Sequence, residues 1–218
     1  MSTALELTGF LLGVASWLII GASLTNDYWK ISSVSGSAII SSRQYENLWH
    51  ACAEDSTGIS QCRDFESLLD LPGFLQACRA LMIIALILGL SSMIMATMGL
   101  KCISIGSASD QAKSKMAATG GILFLLAGLS TMVATSWYAA RVVEEFQDPF
   151  YGGIKFELGT GLYIGWGGAC LSILGGAMLC CSCKGASSGR PKGGYYPSNQ
   201  TAKIHKPVSD SDTARAYV

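Results

Sequence analysis

The 218-residue chain has little charge, and this scarcity excludes an ordinary soluble domain. Only 14% of its residues are Asp, Glu, Lys or Arg, whereas about a quarter is usual in soluble proteins. Basic and acidic residues balance at 15 each, so the composition predicts no general attraction to nucleic acid. Half of the residues are hydrophobic, which favours a protein embedded in lipid.

Histidine is also scarce, and its scarcity argues against catalysis. The chain has only His50 and His205. The sequence shows no nucleophile–base pair, phosphate-binding loop or metal cluster. We therefore predict a protein that is not an enzyme and that uses no cofactor or metal.

Charge is missing from four stretches that are long enough to cross a bilayer. About 20 apolar residues do so as a helix, because lipid offers the backbone no hydrogen-bond partners. Only Glu6, and no basic residue, precedes the first stretch, which favours a retained span over a signal peptide. The stretches are Leu7–Leu24, Ala80–Leu100, Met116–Ala140 and Leu158–Lys184. The charge-free part of the last stretch ends at the residue before Lys184.

The charges between the spans predict the orientation. Segments 25–79 and 141–157 are acidic, whereas segment 101–115 and the tail after Cys183 are basic. Lys and Arg accumulate on the cytoplasmic side of a membrane. Both termini are therefore predicted to be cytoplasmic and both acidic loops extracellular.

The cysteines fall into three groups. Cys52 and Cys62 face the predicted oxidising side, where a disulfide is expected. A metal site there would need two further ligands, and His50 is the loop's only histidine. Cys78 and Cys170 are interpreted as packing residues. Juxtamembrane cysteines can be palmitoylated, with inert thiols as the alternative, and the candidates are Cys102, Cys180, Cys181 and Cys183.

The first outer loop has the chemistry of strands and turns. It is rich in Ile, Val, Ser and Tyr, and apolar and polar residues partly alternate around 38–42 and 45–49. The stretch Glu54–Gly58 supplies a turn, which places Cys52 and Cys62 on adjacent antiparallel strands. A disulfide there would contribute about 2–3 kcal/mol and fix the strand register.

Trp29, Leu48 and Trp49 are expected to seat this sheet on the helices near the membrane surface. Tryptophan favours the interface in any case, so generic anchoring is the alternative. Two small-residue motifs, Gly9-x-x-x-Gly13 and Gly161-x-x-x-Gly165, allow helices to approach closely. Packing inside one monomer is the expected use, and dimerisation is the alternative.

Several of these residues together resemble the signature of the claudin family. They are Trp29, Asn47-Leu48-Trp49, Cys52, Cys62 and Arg79, with Asn47 where claudins usually have Gly. The second loop, EEFQDPFYGGIKFELGTGLYIGW, and the final Ala-Tyr-Val are also similar to those of claudins. The likeness covers residues 1–183 and the last three. It is greatest to the intestinal, cation-pore-forming type, because of Glu-Asn-Leu-Trp and the aspartate three residues after Cys52.

The resemblance implies an α-helical membrane protein: a left-handed four-transmembrane-helix bundle with a small extracellular antiparallel β-sheet. The sheet would have five strands, the fifth near Lys155–Leu158. It also implies assembly with other claudin protomers, in the same and in the apposed membrane, into tight-junction strands. Sheets of several protomers would then line paracellular pores.

Acidic residues on such a sheet would favour small cations in a narrow channel. By resemblance, Asp55 holds the selectivity position of cation-pore members, and Asp64 is the next candidate. Glu54 would point to the other face. Arg63 would weaken cation preference if it faced the channel, although alternation places it opposite to Asp64. The alternative is that these acids are ordinary solvated charges.

Contacts between protomers are also implied by the resemblance. Residues 64–71 can form a short amphipathic helix whose Leu68 enters a neighbour near Phe146 and Leu158, with packing on its own sheet as the alternative. Many members have two aromatics in the second loop, but here Gln147 follows Phe146. Phe150, Tyr151 and Phe156 are expected to compensate.

The tail after Cys183 is rich in Gly, Ser, Pro and Lys and is expected to be disordered. Its end, Tyr217 and Val218, resembles a ligand of PDZ scaffold proteins, and its basic residues favour anionic membrane lipids. The predicted location is the plasma membrane at the tight junction.

Two other functions remain open at this point: a barrier-forming claudin, and a tetraspan auxiliary or adhesion protein of the same superfamily without a pore. The predicted segments are the N-terminus with the first span (1–24), the first extracellular segment (25–78), the second span (79–100), the cytoplasmic loop (101–115), the third span (116–140), the second extracellular segment (141–157), the fourth span (158–183) and the tail (184–218).

Overall fold

Four long helices and a five-stranded sheet make up the computed structural model of the chain. It describes residues 3–32, 42–65, 72–100, 110–148 and 155–187. The helices are α1 (Thr3–Thr25), α2 (Gly73–Gly99), α3 (Asp110–Gln147) and α4 (Thr160–Ser187). The strands are β1 (Lys30–Ser32), β2 (Ser42–Glu46), β3 (His50–Asp55), β4 (Ser60–Asp64) and β5 (Phe156–Leu158).

All four helices are long and apolar enough to cross a membrane, as the sequence predicted. Each helix extends beyond its charge-free stretch at one end or both, but α4 begins only at Thr160, because Leu158 belongs to β5. The 38 residues of α3 span about 57 Å at 1.5 Å per residue, well over the roughly 30 Å of a bilayer core. The outward-facing side chains are large and apolar, including Leu11, Leu18, Ile87, Val133 and Leu174.

The sheet lies at one end of the bundle. Strands β1 to β4 connect α1 to α2, and β5 connects α3 to α4. The order is β4-β3-β2-β1-β5, and each neighbouring pair is antiparallel. The predicted antiparallel sheet is therefore confirmed, with its fifth strand from the second loop.

Hydroxyl groups inside the bundle donate to backbone carbonyls of neighbouring helices. The Oγ atoms of Ser23 and Ser172 lie 2.8 Å from the carbonyl oxygens of Gly161 and Phe124. These bonds satisfy polar groups where lipid offers none.

Both predicted glycine motifs pack within the monomer. A Cβ on Gly13 would lie 2.5 Å from the Phe124 ring, and one on Gly161 would lie 2.7 Å from Cδ1 of Trp29. A Cβ on Gly9 would lie 3.0 Å from the carbonyl oxygen of Gly175 on α4. The small residues are therefore needed for contacts between helices of one chain.

One packing prediction is wrong. Cys78 is fully buried, with its Sγ 3.5 Å from the carbonyl oxygen of Ala134, as expected. Cys170 is instead exposed on the outside of α4. A thiol is apolar enough for lipid, so its hydrophobic character did not require a place in the core.

Candidate functional site

The base of the sheet is fixed by a buried tryptophan. Trp29 has no exposed surface, and its Nε1 donates to the carbonyl of Ser23 at the end of α1, at 2.8 Å. Its ring meets that of Tyr138 edge to face, 5.1 Å between centroids. The space for this ring exists because Gly161 has no side chain. Trp29 thus joins three helices below the first strand.

Arg79 fixes the turn between β2 and β3. Its Nε donates to the carbonyl oxygen of Leu48 at 2.5 Å, and Leu48 itself is fully buried. The guanidinium group lies over the rings of Trp49 and Phe65, 5.0 and 5.7 Å from their centroids. Trp49 remains 37% exposed and Trp29 is buried, so of these two signature tryptophans only Trp49 has ring surface available for anchoring at a membrane interface.

A buried polar turn that the sequence analysis missed supports the same loop. Asn47 is 2% exposed, and its Oδ1 accepts from the backbone nitrogens of Trp49 and His50, at 2.7 and 2.8 Å. Its Nδ2 donates to Asp27 at 3.2 Å, and the His50 Nε2 lies 3.1 Å from the same carboxylate oxygen. Asparagine bonding to the backbone two residues later is a known turn signal, and it was present in the sequence.

The disulfide lies between the base and the free end of the sheet. Cys52 on β3 is directly opposite Cys62 on β4, and the two are bonded as predicted. A ring nitrogen of His50 and both sulfurs lie within 4.8 Å of one another. Cysteine binds a metal such as zinc as a thiolate, however, and two sulfurs joined in a disulfide offer none, so this group is a disulfide with a neighbouring histidine.

Beyond the disulfide, β3 and β4 end in a tight hairpin. The Asp55 nitrogen donates to the Ile59 carbonyl at 3.0 Å, and the Gly58 nitrogen donates to the Asp55 carbonyl at 2.9 Å. Gly58 has φ +80°, a conformation that favours glycine. This is the pattern of a three-residue loop with a bulge at the glycine. The residues from Asp55 to Ile59 are all exposed.

The three candidate acids have different neighbours across the strands. Glu54 is directly opposite Arg43, whereas Asp55 is opposite Ser42. The Cβ atoms of residues opposite each other in an antiparallel pair lie about 5 Å apart. The residue across from Glu54 is therefore a cation, and the residue across from Asp55 is uncharged. Asp64 is opposite His50.

The register also separates Arg63 from Asp64. Arg63 is opposite Ala51, and Asp64 is opposite His50, so the two point to opposite faces, which matches the prediction. Arg63 shares its face with Asp55, but their rows are four residues apart along β3, about 13 Å. Exposed charges beyond about 8 Å are largely screened at physiological salt.

A cavity of about 520 Å³ separates the base of the sheet from the ends of α2 and α3, and Arg63 lines it. Glu46, Asp64 and Glu145 line the same cavity, so acidic residues of β2, β4 and α3 share it with Arg63. Glu46 also pairs with Lys30 at 2.8 Å.

The candidate contact residues between protomers are described only in part. Phe146 is partly buried, and the Lys155 Nζ lies 5.3 Å from its ring centroid. Leu158 is partly buried and packs against the core formed by all four helices. Phe156 is buried in that core, so its expected role in contacts between protomers is wrong. Leu68, Phe150 and Tyr151 lie outside the described residues.

The remaining predicted sites are at the opposite end of the bundle. Cys180 is partly buried with its Sγ 3.8 Å from the carbonyl oxygen of Ala118, and Cys181 is exposed. The side chain of Cys183 and all of Cys102, Tyr217 and Val218 lie outside the described residues.

The fold and this hairpin define a four-span membrane protein with a disulfide-bonded sheet at one end. Residues 3–179 match the model of the PMP-22/EMP/MP20/Claudin family. The chain therefore belongs to this family. Proteins of the claudin family are structural components of tight junctions and are not enzymes.

Curated relatives cover nearly the whole chain. Claudin-15 of Mus musculus is 43% identical over 214 residues, which cover 96% of this chain and 93% of the relative. Claudin-19 of Rattus norvegicus is 40% identical, with 98% and 96% covered. Claudin-7 of Mus musculus is 40% identical, with 93% and 98% covered. The chain is thus a multi-pass membrane protein of the tight junction that interacts with other claudins.

Proposed function

We propose that this protein forms tight-junction strands whose paracellular pores are selective for small cations, and that Asp55 is the main selectivity residue. The observation that carries this proposal is the placement of Asp55: exposed, at the end of β3, and opposite the neutral Ser42. Glu54, with Arg43 opposite, contributes less. Asp64 lies near the base of the same hairpin, on the face opposite to Asp55, so we assign it a smaller contribution.

The size of the effect follows from Coulomb's law. A unit charge 5 Å from an ion contributes roughly 0.8 kcal/mol at the dielectric constant of water and about 3 kcal/mol at an effective value near 20. These energies correspond to about a fourfold to a hundredfold preference for cations. Acids repeated by several protomers around one constriction act together.

The proposal requires the sheet to be extracellular and both termini to be cytoplasmic. The Cys52–Cys62 disulfide supports this orientation, since disulfides persist in oxidising compartments. The basic residues of segment 101–115 support it as well.

Strand formation requires contacts between protomers. We assign these to Leu68 of one protomer and the surface around Phe146 and Leu158 of the next, with Phe150 and Tyr151 adding aromatic contacts. The partly buried, apolar character of Phe146 and Leu158 supports this assignment.

At the cytoplasmic side, we assign Tyr217 and Val218 to a PDZ scaffold protein, because a tyrosine followed by an apolar residue resembles the peptides that such domains bind. Among the juxtamembrane cysteines, Cys181 has the exposure that palmitoylation requires. Cys102, Cys180 and Cys183 are the other candidates.

The test is expression in an epithelial monolayer of low cation permeability and, separately, in cells without junctions. We expect strands on freeze-fracture, a rise in conductance, and dilution potentials that show sodium permeating more readily than chloride. A fall in sodium conductance with strands present would favour the barrier-forming alternative. Absence of strands would favour an auxiliary or adhesion role.

A further inference from the structure

The Asp55 carboxylate is held by its own turn. Its Oδ1 accepts from the backbone nitrogen of Ser56 at 2.7 Å and from the Ser56 hydroxyl at 3.3 Å. The same oxygen therefore accepts both hydrogen bonds. Among the described residues, Oδ2 accepts no hydrogen bond, so it is the oxygen left to meet an ion.

Hydrogen bonds also hold the backbone of Asp55 in place. Its backbone nitrogen donates to the Ile59 carbonyl, and its own carbonyl accepts from the Gly58 nitrogen. Both hydrogen bonds close the hairpin. The φ of +80° at Gly58 allows that closure. The disulfide begins three residues before Asp55, so the carboxylate is attached to the rigid sheet through a very short segment.

We propose that Ser56 and Gly58 are positioning residues for cation selectivity. Ser56 fixes the direction of the Asp55 carboxylate, and Gly58 fixes the turn from which that carboxylate projects. This inference rests on the proposed function of Asp55 and adds two uncharged residues to it. A carboxylate held in one direction presents its charge at one place in the pore, whereas a freely rotating one spreads that charge over a larger volume.

The chain offers a variant that separates the carboxylate from the turn. Ser56→Pro removes both donors, the N–H and the hydroxyl. Proline is nevertheless favoured at the second position of this kind of turn, and Asp55 precedes it in extended strand conformation, which proline tolerates. The hairpin should therefore form while the carboxylate loses its hydrogen bonds.

Dilution potentials across epithelial monolayers give the readout, with strands checked by freeze-fracture. We expect Ser56→Pro to lower the sodium-to-chloride permeability ratio by about twofold. Ser56→Ala, which keeps the N–H donor, should have a smaller effect, and Ser56→Thr should match the wild type. A ratio unchanged or raised in Ser56→Pro would overturn the assignment of Ser56.

Two substitutions of Gly58 form a matched pair that tests its role. Asparagine tolerates positive φ, whereas a β-branched residue does not. We expect Gly58→Asn to retain the permeability ratio and Gly58→Val to lower it by about twofold or more, with strands formed in both. Equal ratios in the two variants would overturn the role of Gly58.

A double variant shows whether Ser56 acts through Asp55. If it does, adding Ser56→Pro to Asp55→Asn changes the permeability ratio no further, and an additional decrease contradicts the inference. Failure of the proposed function is distinguishable, because Asp55→Asn alone would then leave the ratio at the wild-type value.

Discussion

The two ends of the β3–β4 hairpin differ sharply in burial. At the base, Trp29 and Leu48 have no exposed surface, and Arg79 is 7% exposed. At the tip, every residue from Asp55 to Ile59 is exposed. The disulfide stands between the two regions, with Cys52 buried and Cys62 exposed. Changes at the base should therefore alter folding, and changes at the tip should alter ion selectivity.

The largest effect is expected at the tryptophan of the base. Trp29→Ala should destabilise the protein by about 3–5 kcal/mol, because it leaves a cavity among three helices. The measurement is the midpoint of thermal unfolding in detergent, followed by size-exclusion chromatography. Trp137→Ala is the matched control: Trp137 is 42% exposed on the helix surface, and its loss should cost far less. Equal losses in the two variants would contradict the comparison.

Removal of the disulfide should cause the next largest loss of stability. Replacing Cys52 and Cys62 by Ser should cost about 2.7 kcal/mol for a closed loop of about ten residues. The tip should also lose its fixed register, so cation preference should fall in any protein that reaches the membrane. The control is Cys170→Ser, since that cysteine is exposed and forms no disulfide. Selectivity that survives without the disulfide would show that the tip is held by other contacts.

The arginine at the base should give a smaller loss of stability. Arg79→Lys removes the Nε donor to the Leu48 carbonyl and the planar group over two rings. A hydrogen bond from a charged group contributes about 1.5–3 kcal/mol, so we expect a loss of about 2 kcal/mol in the same unfolding assay. Arg141→Lys, at a 47% exposed side chain paired with Glu144, should change stability little. An Arg79→Lys variant as stable as the wild type would show that only the positive charge of this side chain matters.

The smallest effect on stability is expected at the tip. Asp55→Asn and Glu54→Gln should each change stability by less than about 0.5 kcal/mol, as is usual for exposed positions. Asparagine also suits the first position of this turn. Unfolding midpoints of both variants within error of the wild type are the expected result. A large decrease for Asp55→Asn would mean that the charge itself holds the hairpin.

The sequence predicted the architecture because its signals were local and strong. Four charge-free stretches predicted the four helices, and Cys52 and Cys62 predicted the pairing of two strands. Arg63 and Asp64 were correctly placed on opposite faces, because alternation along a strand needs only parity. The turn at Glu54–Gly58 was also recognised from its residue types.

The tertiary partners could not be predicted in this way. Nothing in the local sequence shows that Arg43, rather than Ser42, is opposite Glu54, since that depends on the register across the sheet. Cys170 was misplaced because an apolar residue on a membrane helix suits lipid as well as the core. The role of Asn47 required knowing that its loop is buried.

The dilution potential of Asp55→Asn, beside that of Glu54→Gln, tests the central claim most directly. The two acids are adjacent, but only Glu54 has an arginine opposite. We expect Asp55→Asn to lower the sodium-to-chloride permeability ratio by about fourfold or more, with Glu54→Gln close to the wild type and strands formed by both. A wild-type ratio in Asp55→Asn, with normal strands, would contradict the account.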